Sequence, residues 1–211
     1  LQGSSMFSSL DLKSGFWQIP LDTASIPVTA FTCHLGLYEY TSLPFGLASA
    51  PGIFQAIMNK VLNGIIGRGC MVYVDDIVIY GKTRAEHHAN LRKVLSRLSQ
   101  VGLQAKSSKC TFAKNDIELL GYRVRKEGIS PLPAKTEAIR QMAVPTSVKG
   151  VRSFLGVTGY YRDLIPRYSH IALPLTQLTH RKASFYWGQD QQKAFDSLKE
   201  ALCNDPITAH P

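Results

Sequence analysis

The spacing of apolar residues changes period several times along the chain, and each change marks an element. Residues 6–12 (MFSSLDL) read as a short strand ending at Asp11, broken by the Ser14-Gly15-Phe16 run. Residues 27–33 and 37–43 predict two more strands joined through His34–Gly36. Ala50, Ile53, Phe54, Ile57, Met58, Val61 and Leu62 then recur at i, i+3, i+4, i+7. That stripe predicts a core-facing helix opened by Ser49 and stopped by Gly64. Residues 71–80 (MVYVDDIVIY) predict a hairpin with Asp75 and Asp76 at its tip. Thr83 with Glu86 forms a capping box for a helix whose buried face is Leu91, Val94, Leu95, Leu98 and Val101. Gly102 ends it, and Arg92, Lys93 and Arg97 fall on the other side.

Further on, CTFA and IELLGYRV read as short strands around a turn at Asn115-Asp116. From Pro131 the period is helical, over residues 133–142, 147–163 and 189–203, with a domain boundary near Ser130. The order predicts an α+β fold, an antiparallel sheet with helices on one face followed by a helical module.

Composition narrows the function classes. The 211 residues are 45% hydrophobic, enough for one sizeable core or two small ones. No run of eighteen apolar residues exists, so no membrane partner is expected, and the start carries no signal-peptide pattern. The first residue is Leu1, which suggests a piece of a longer protein. Cys33, Cys70, Cys110 and Cys203 are far apart and pair with no histidine at zinc spacing. They suit a reduced, intracellular setting.

The net charge of +9 is unevenly placed. Residues 1–76 carry 3 Lys/Arg and 5 Asp/Glu, a net −2; residues 77–182 carry 19 and 6, a net +13; residues 183–211 carry 2 and 4, a net −2. A basic middle after an acidic hairpin suggests a polyanion held by one part and worked on by another. A merely solvated basic surface is the alternative.

The paired aspartates admit two readings. Asp at a hairpin tip does no more than make the turn. If the strand ending at Asp11 lies beside the hairpin, however, three carboxylates converge at one sheet edge and repel one another. Mg²⁺, which binds through a few carboxylates plus substrate phosphates, relieves that repulsion, and two such ions serve in-line phosphoryl displacement.

At this point the residues reach a resemblance. FSSLDLKSGF, LPFGLASAPGIFQ, YVDD, GLQAKSSKCTF, LLGYRV and VRSFLGVTGYYR resemble, in order, the motifs of reverse transcriptases, and most closely those of gypsy-class long-terminal-repeat retrotransposons. The likeness covers essentially the whole chain. It implies a right-hand polymerase: palm with partial fingers over 1–130, a helical thumb over 131–180, and the start of a connection toward ribonuclease H over 181–211. The implied activity is RNA-directed DNA polymerisation, adding dNTPs to a primer on an RNA or DNA template. It implies two Mg²⁺ ions, replaceable by Mn²⁺, and a setting in the cytoplasm or a virus-like particle.

The resemblance also carries roles. Asp11, Asp75 and Asp76 match the catalytic carboxylates, and the Leu12 carbonyl matches a position that helps bind metal. Ser14 and Gly15 match amides that meet the triphosphate. Phe16 matches the gate against the sugar 2′-hydroxyl, or else simply packs in the core. Phe45, where some relatives carry Gln, lines the nucleotide pocket. Lys109 matches a lysine near the triphosphate, a general acid for the leaving pyrophosphate, or else is one more surface lysine. Leu120, Gly121 and Tyr122 match the grip on the primer 3′ end, and residues 147–163 the helix that tracks the template–primer minor groove.

The family pattern also has a longer stretch before Asp11, which would complete the fingers, and an acidic ribonuclease H cluster past Pro211. It often has Trp near Met142–Val144 and a basic residue at Asp163. The rival reading is a catalytically inactive nucleic-acid-binding remnant of a retrotransposon polyprotein.

Overall fold

The structure is a computed structural model that describes residues 1, 3–181 and 183–204. Its elements in chain order are β1 (Met6–Asp11), β2 (Phe31–Cys33), β3 (Gly36–Tyr38), α1 (Ala50–Val61), β4 (Cys70–Tyr73), β5 (Asp76–Gly81), α2 (Arg84–Gln100), β6 (Thr111–Lys114), β7 (Asp116–Leu119), β8 (Tyr122–Arg125), β9 (Gly128–Pro131), α3 (Pro133–Arg140), α4 (Val148–Tyr160), α5 (Tyr168–Gln177) and α6 (Gln189–Cys203). This is the predicted α+β class. The chain packs as two units that divide after Ile117, ahead of the change of period near Ser130.

In the first unit β4, β5, β1 and β6 form one sheet in that order. β1 and β5 are antiparallel, with Leu10 opposite Ile77 and Ser8 opposite Ile79. Strand alternation sends Leu10, Ile77, Ile79, Cys70 and Val72 to one face, where they share a core with Phe54 and Met58 of α1 and Val94 and Leu98 of α2. Helices therefore cover that face, as expected. The same alternation assigns Asp11 and Asp76 to the opposite face.

The α2 stripe is rotated from the expectation. Val94 and Leu98 are buried, but Leu95 and Val101 are exposed, and the buried face is completed by His87 and Asn90. Two polar residues fit because the sheet offers them partners. His87 Nε2 meets Ser8 Oγ at 2.9 Å, and Asn90 Nδ2 donates to the Tyr80 carbonyl at 3.0 Å. At the start of α2, Thr83 Oγ1 accepts from Glu86 N as the box requires, but the Glu86 carboxylate accepts from Lys82 N. The α1 stripe is half right: Phe54, Met58 and Leu62 are buried while Ile53 is exposed, and Ser49 makes no side-chain cap.

The predicted strands over 27–33 and 37–43 are shorter than expected. Pro27–Thr29 is a 3₁₀ turn, since Pro fixes its own φ and cannot donate to a ladder. Residues 41–43 leave the hairpin and pair with 19–21: Leu21 N donates to the Thr41 carbonyl and Leu43 N to the Ile19 carbonyl.

β7, β8 and β9, all but the first two residues of β7 in the second unit, form a separate sheet. β6 and β7 flank Asn115 but lie in different sheets, so the two strands expected around that turn do not pair with each other. The tight turn is instead at Leu120-Gly121, both with positive φ. Strand β9 and helix α5 carry weak period signals and go unpredicted; α5 holds an internal proline, Pro174. Phe154, Leu175, Phe195, Leu198 and Leu202 form this unit's core. Of the tail expected to begin a connection segment, Lys182 and residues 205–211 lie outside the described residues.

Candidate active site

The acidic cluster is built by strand register. Asp11 ends β1 directly opposite Asp76, and Tyr73 of β4 pairs with Asp76 from the other side. Two residues, Val74 and Asp75, connect β4 to β5, with Val74 in the left-handed region at φ 52°. A β-branched residue is strained there and needs outside support. Gln55 of α1 provides it: its Oε1 accepts from Val74 N at 2.8 Å, and its Nε2 donates to the Val72 carbonyl at 3.4 Å and to Asn59 Oδ1 at 2.9 Å. Gln55 closes the sequence LPFGLASAPGIFQ, yet nothing in its periodicity marked it as the clasp of the acidic hairpin.

The three carboxylates feel one another. The Asp75 carboxyl is pushed above its usual range by burial first, then by the charges of Asp76 and Asp11, with Lys109 opposing. Asp76 is raised by burial and by Asp11, again against Lys109. Asp75 Oδ1 is buried without a hydrogen-bond partner. Such an orphaned acceptor costs free energy unless something electropositive meets it. Among the described residues no three His, Cys, Asp or Glu side chains form a ready-made metal cage.

Lys109 reaches this cluster from far along the chain: its Nζ lies 3.2 Å from Asp11 Oδ2. The loop that delivers it is tied to the end of β1 by backbone bonds from Lys13 N to the Gln104 carbonyl and from Lys106 N to the Asp11 carbonyl. Gln18 fastens the same junction, accepting from Gln104 N at 2.7 Å and donating to the Lys13 and Gln104 carbonyls. Sequence reasoning missed Gln18, whose only signal is an amide in an otherwise apolar FWQI run.

The turn after Asp11 packs closely beneath the cluster. Leu12 is buried in the core and bridges to Ala105. Ser14 is left-handed at φ 49°, and Trp17 N bonds its carbonyl. A Cβ on Gly15 would stand 3.0 Å from the Phe54 ring and 3.5 Å from Asp75 Cγ, so glycine lets the backbone approach both. Phe16 is only 7% exposed, with Phe54 at 5.2 Å and Phe45 at 5.1 Å between ring centroids. Phe45 is 59% exposed and continues edge-on to Trp17. The pairing of 41–43 with 19–21 is what brings Phe45 to Phe16.

Structure thus gathers Asp11, Asp75, Asp76, Lys109, Leu12, Ser14, Gly15, Phe16 and Phe45 in the first unit. Leu120, Gly121 and Tyr122 belong to the second, at the turn between β7 and β8.

Residues 1–124 match the family described as reverse transcriptase (RNA-dependent DNA polymerase). The chain is 40% identical over 210 residues to the retrovirus-related Pol polyprotein from transposon 297 of Drosophila melanogaster, covering 97% of this chain and 20% of that polyprotein. It spans about a fifth of the length of such curated relatives. Among solved structures, a foamy viral protease–reverse transcriptase in complex with double-stranded DNA superposes with a TM-score of 0.87 at 27% identity, over 98% of this chain and 36% of that one. A foamy viral protease–reverse transcriptase in complex with an RNA/DNA hybrid gives 0.84 at 27% identity, over 98% and 28%.

Proposed function

Because the chain belongs to the reverse transcriptase family, we propose that it is the polymerase portion of a retrotransposon polyprotein, extending a primer on an RNA or DNA template with dNTPs. The observation that carries this reading is the meeting of Asp11, Asp75 and Asp76 at one sheet edge, with Lys109 at 3.2 Å from Asp11. Their mutual repulsion and the orphaned Asp75 Oδ1 suit a divalent cation, Mg²⁺ or Mn²⁺. Bound there, such a cation would supply charge neutralisation at the triphosphate and a lowered pKa for the primer hydroxyl.

The chain's own residues do the rest. Asp11 and Asp75, with the Leu12 carbonyl, would hold the cation, and Asp76 would add negative charge. Ser14 and Gly15 offer backbone amides to the triphosphate; backbone amides at a turn suit an anion. Lys109 donates a proton to the departing pyrophosphate oxygen. Phe45 forms the exposed wall of the nucleotide pocket, and Phe16 backs it and limits room at the sugar 2′ position. Leu120, Gly121 and Tyr122 hold the primer end. Residues 1–130 act as palm with part of the fingers, 131–180 as thumb, and the remainder begins a connection.

The test is primer extension on poly(rA)/oligo(dT) by Asp75→Asn, with flanking polyprotein sequence present and circular dichroism as a folding control. Extension should fall at least about a hundredfold with the fold intact, as expected when a preorganised charge at the reacting centre is removed. Near-normal extension would overturn the assignment and favour a non-catalytic nucleic-acid-binding role.

A further inference from the structure

The turn between β7 and β8 is two residues long, and both are left-handed, Leu120 at φ 47° and Gly121 at φ 76°. Two-residue hairpin loops favour such positive φ pairs, but with Asn or Gly in the first place. Leucine is a poor fit, and its conformation must be imposed from outside. The agent is the end of α4. Tyr160 Oη donates to the Leu120 carbonyl, and Tyr161 Oη donates to the Gly121 carbonyl at 3.0 Å. In return Tyr122 Oη donates to the Tyr160 carbonyl at 2.9 Å. That carbonyl, in the last residue of α4, has no partner within its helix, so the Tyr122 hydroxyl satisfies it.

The rings reinforce the hydroxyls. Tyr122 stacks on Tyr160 with centroids 5.5 Å apart and meets Tyr161 edge-on at 5.3 Å, and Tyr160 and Tyr161 are perpendicular at 5.0 Å. A Cβ on Gly121 would come within 3.4 Å of the Tyr160 ring and hydroxyl. Tyr161 is 3% exposed and belongs to the second unit's core, but Tyr160 is 51% exposed. The rings of Tyr122 and Tyr161 hold it on one side, and its hydroxyl bond to the turn fixes it further.

We infer that Tyr160 and Tyr161 are positioning residues for primer extension: their hydroxyls hold the Leu120-Gly121 turn in the left-handed shape in which it receives the 3′-terminal nucleotide of the primer strand. This rests on the reading of Leu120, Gly121 and Tyr122 as the primer-holding segment. It makes the end of α4 part of the same device, so α4 and the turn move together. The tyrosines themselves need not touch the primer.

The experiment uses Tyr160→Phe, Tyr161→Phe and the double variant, with flanking polyprotein sequence present. Each keeps the ring and removes only the hydroxyl. Three quantities are read: template–primer affinity by fluorescence anisotropy, single-turnover extension as a function of dNTP concentration, and thermal melting. Tyr160→Phe should lower the maximal extension rate about fivefold, and the double variant more, the loss expected for a hydrogen bond that fixes geometry. The dNTP KM and the affinity for template–primer should stay within about twofold, because neither the nucleotide pocket nor the phosphate contacts are altered.

Gly121→Ala, which strains the turn directly, is the companion variant. Slow extension by Gly121→Ala with wild-type rates in all tyrosine variants overturns the clasp and leaves the primer-holding segment standing. Wild-type rates in every variant overturn both. A rate loss in the tyrosine variants that vanishes when corrected for folded fraction also overturns the clasp.

Discussion

At the scale of single residues, the candidate site works against the stability of the fold. Asp75 and Asp76 have carboxyl pKa values above 3.8, through burial first and then neighbouring charge. The unfolded chain ionises first, so stability falls as pH rises from 3.8 through the folded values, and the penalty is complete above them. Asp75→Asn should therefore raise the melting temperature at neutral pH. It should also weaken the stabilisation that added Mg²⁺ gives the parent chain. Melting curves with and without Mg²⁺ check both; a lower melting temperature for the variant would contradict the electrostatic account.

His87 has the opposite sign. Burial first, then His88, holds its pKa below 6.5, and its Nδ1 is buried without a partner. The unfolded state takes up the proton first as pH falls, so its contribution is complete above 6.5 and is lost as pH falls below that value. His87→Gln should flatten the pH dependence of melting below pH 6.5.

At the scale of elements, close approach decides where the site sits. The end of β5 meets the first turn of α2 at Gly81, where a Cβ would stand 2.5 Å from His87 N and 2.8 Å from His87 Cα. Both are backbone atoms and cannot rotate away. Gly81→Ala should cost about 3 kcal/mol by forcing strand and helix apart. Chemical denaturation would read the loss as a lower midpoint at unchanged slope. A cost under about 0.5 kcal/mol would mean that α2 shifts without penalty. The same logic explains the hairpin. Val74 keeps its left-handed conformation because Gln55 of α1 holds the turn, so a helix twenty residues upstream sets where Asp75 points.

At the scale of the whole molecule, charge separates holding from chemistry. The acidic cluster lies in residues 1–76, net −2, and the basic excess in residues 77–182, net +13. Phosphate contacts from such a segment release counterions, so affinity for a primer–template should fall linearly in log–log with salt. With about five phosphate contacts the slope is about −4.5, on the order of a hundredfold weaker binding across about a threefold rise in salt. Fluorescence anisotropy over a salt series measures it, and a slope near zero would reduce the basic segment to a solvated surface. Asp75→Asn should leave this slope unchanged, since it sits outside the basic segment.

The sequence by itself determined the α+β class, most of the helices, the hairpin of Asp75 and Asp76, and the family. Those features rest on local signals: period 3.6 or 2, caps, and ordered motifs that need no partner to be read. It did not determine that Asp11 would pair with Asp76, that β6 and β7 would part into different sheets, or that α2 would turn His87 and Asn90 inward. Register and helix rotation are settled by contacts between segments distant along the chain, and a polar residue is buried only when a specific partner waits for it. Gln18, Gln55, Tyr160 and Tyr161 went unread for the same reason. Each acts through hydrogen bonds to backbone atoms distant along the chain, and such bonds leave no period behind.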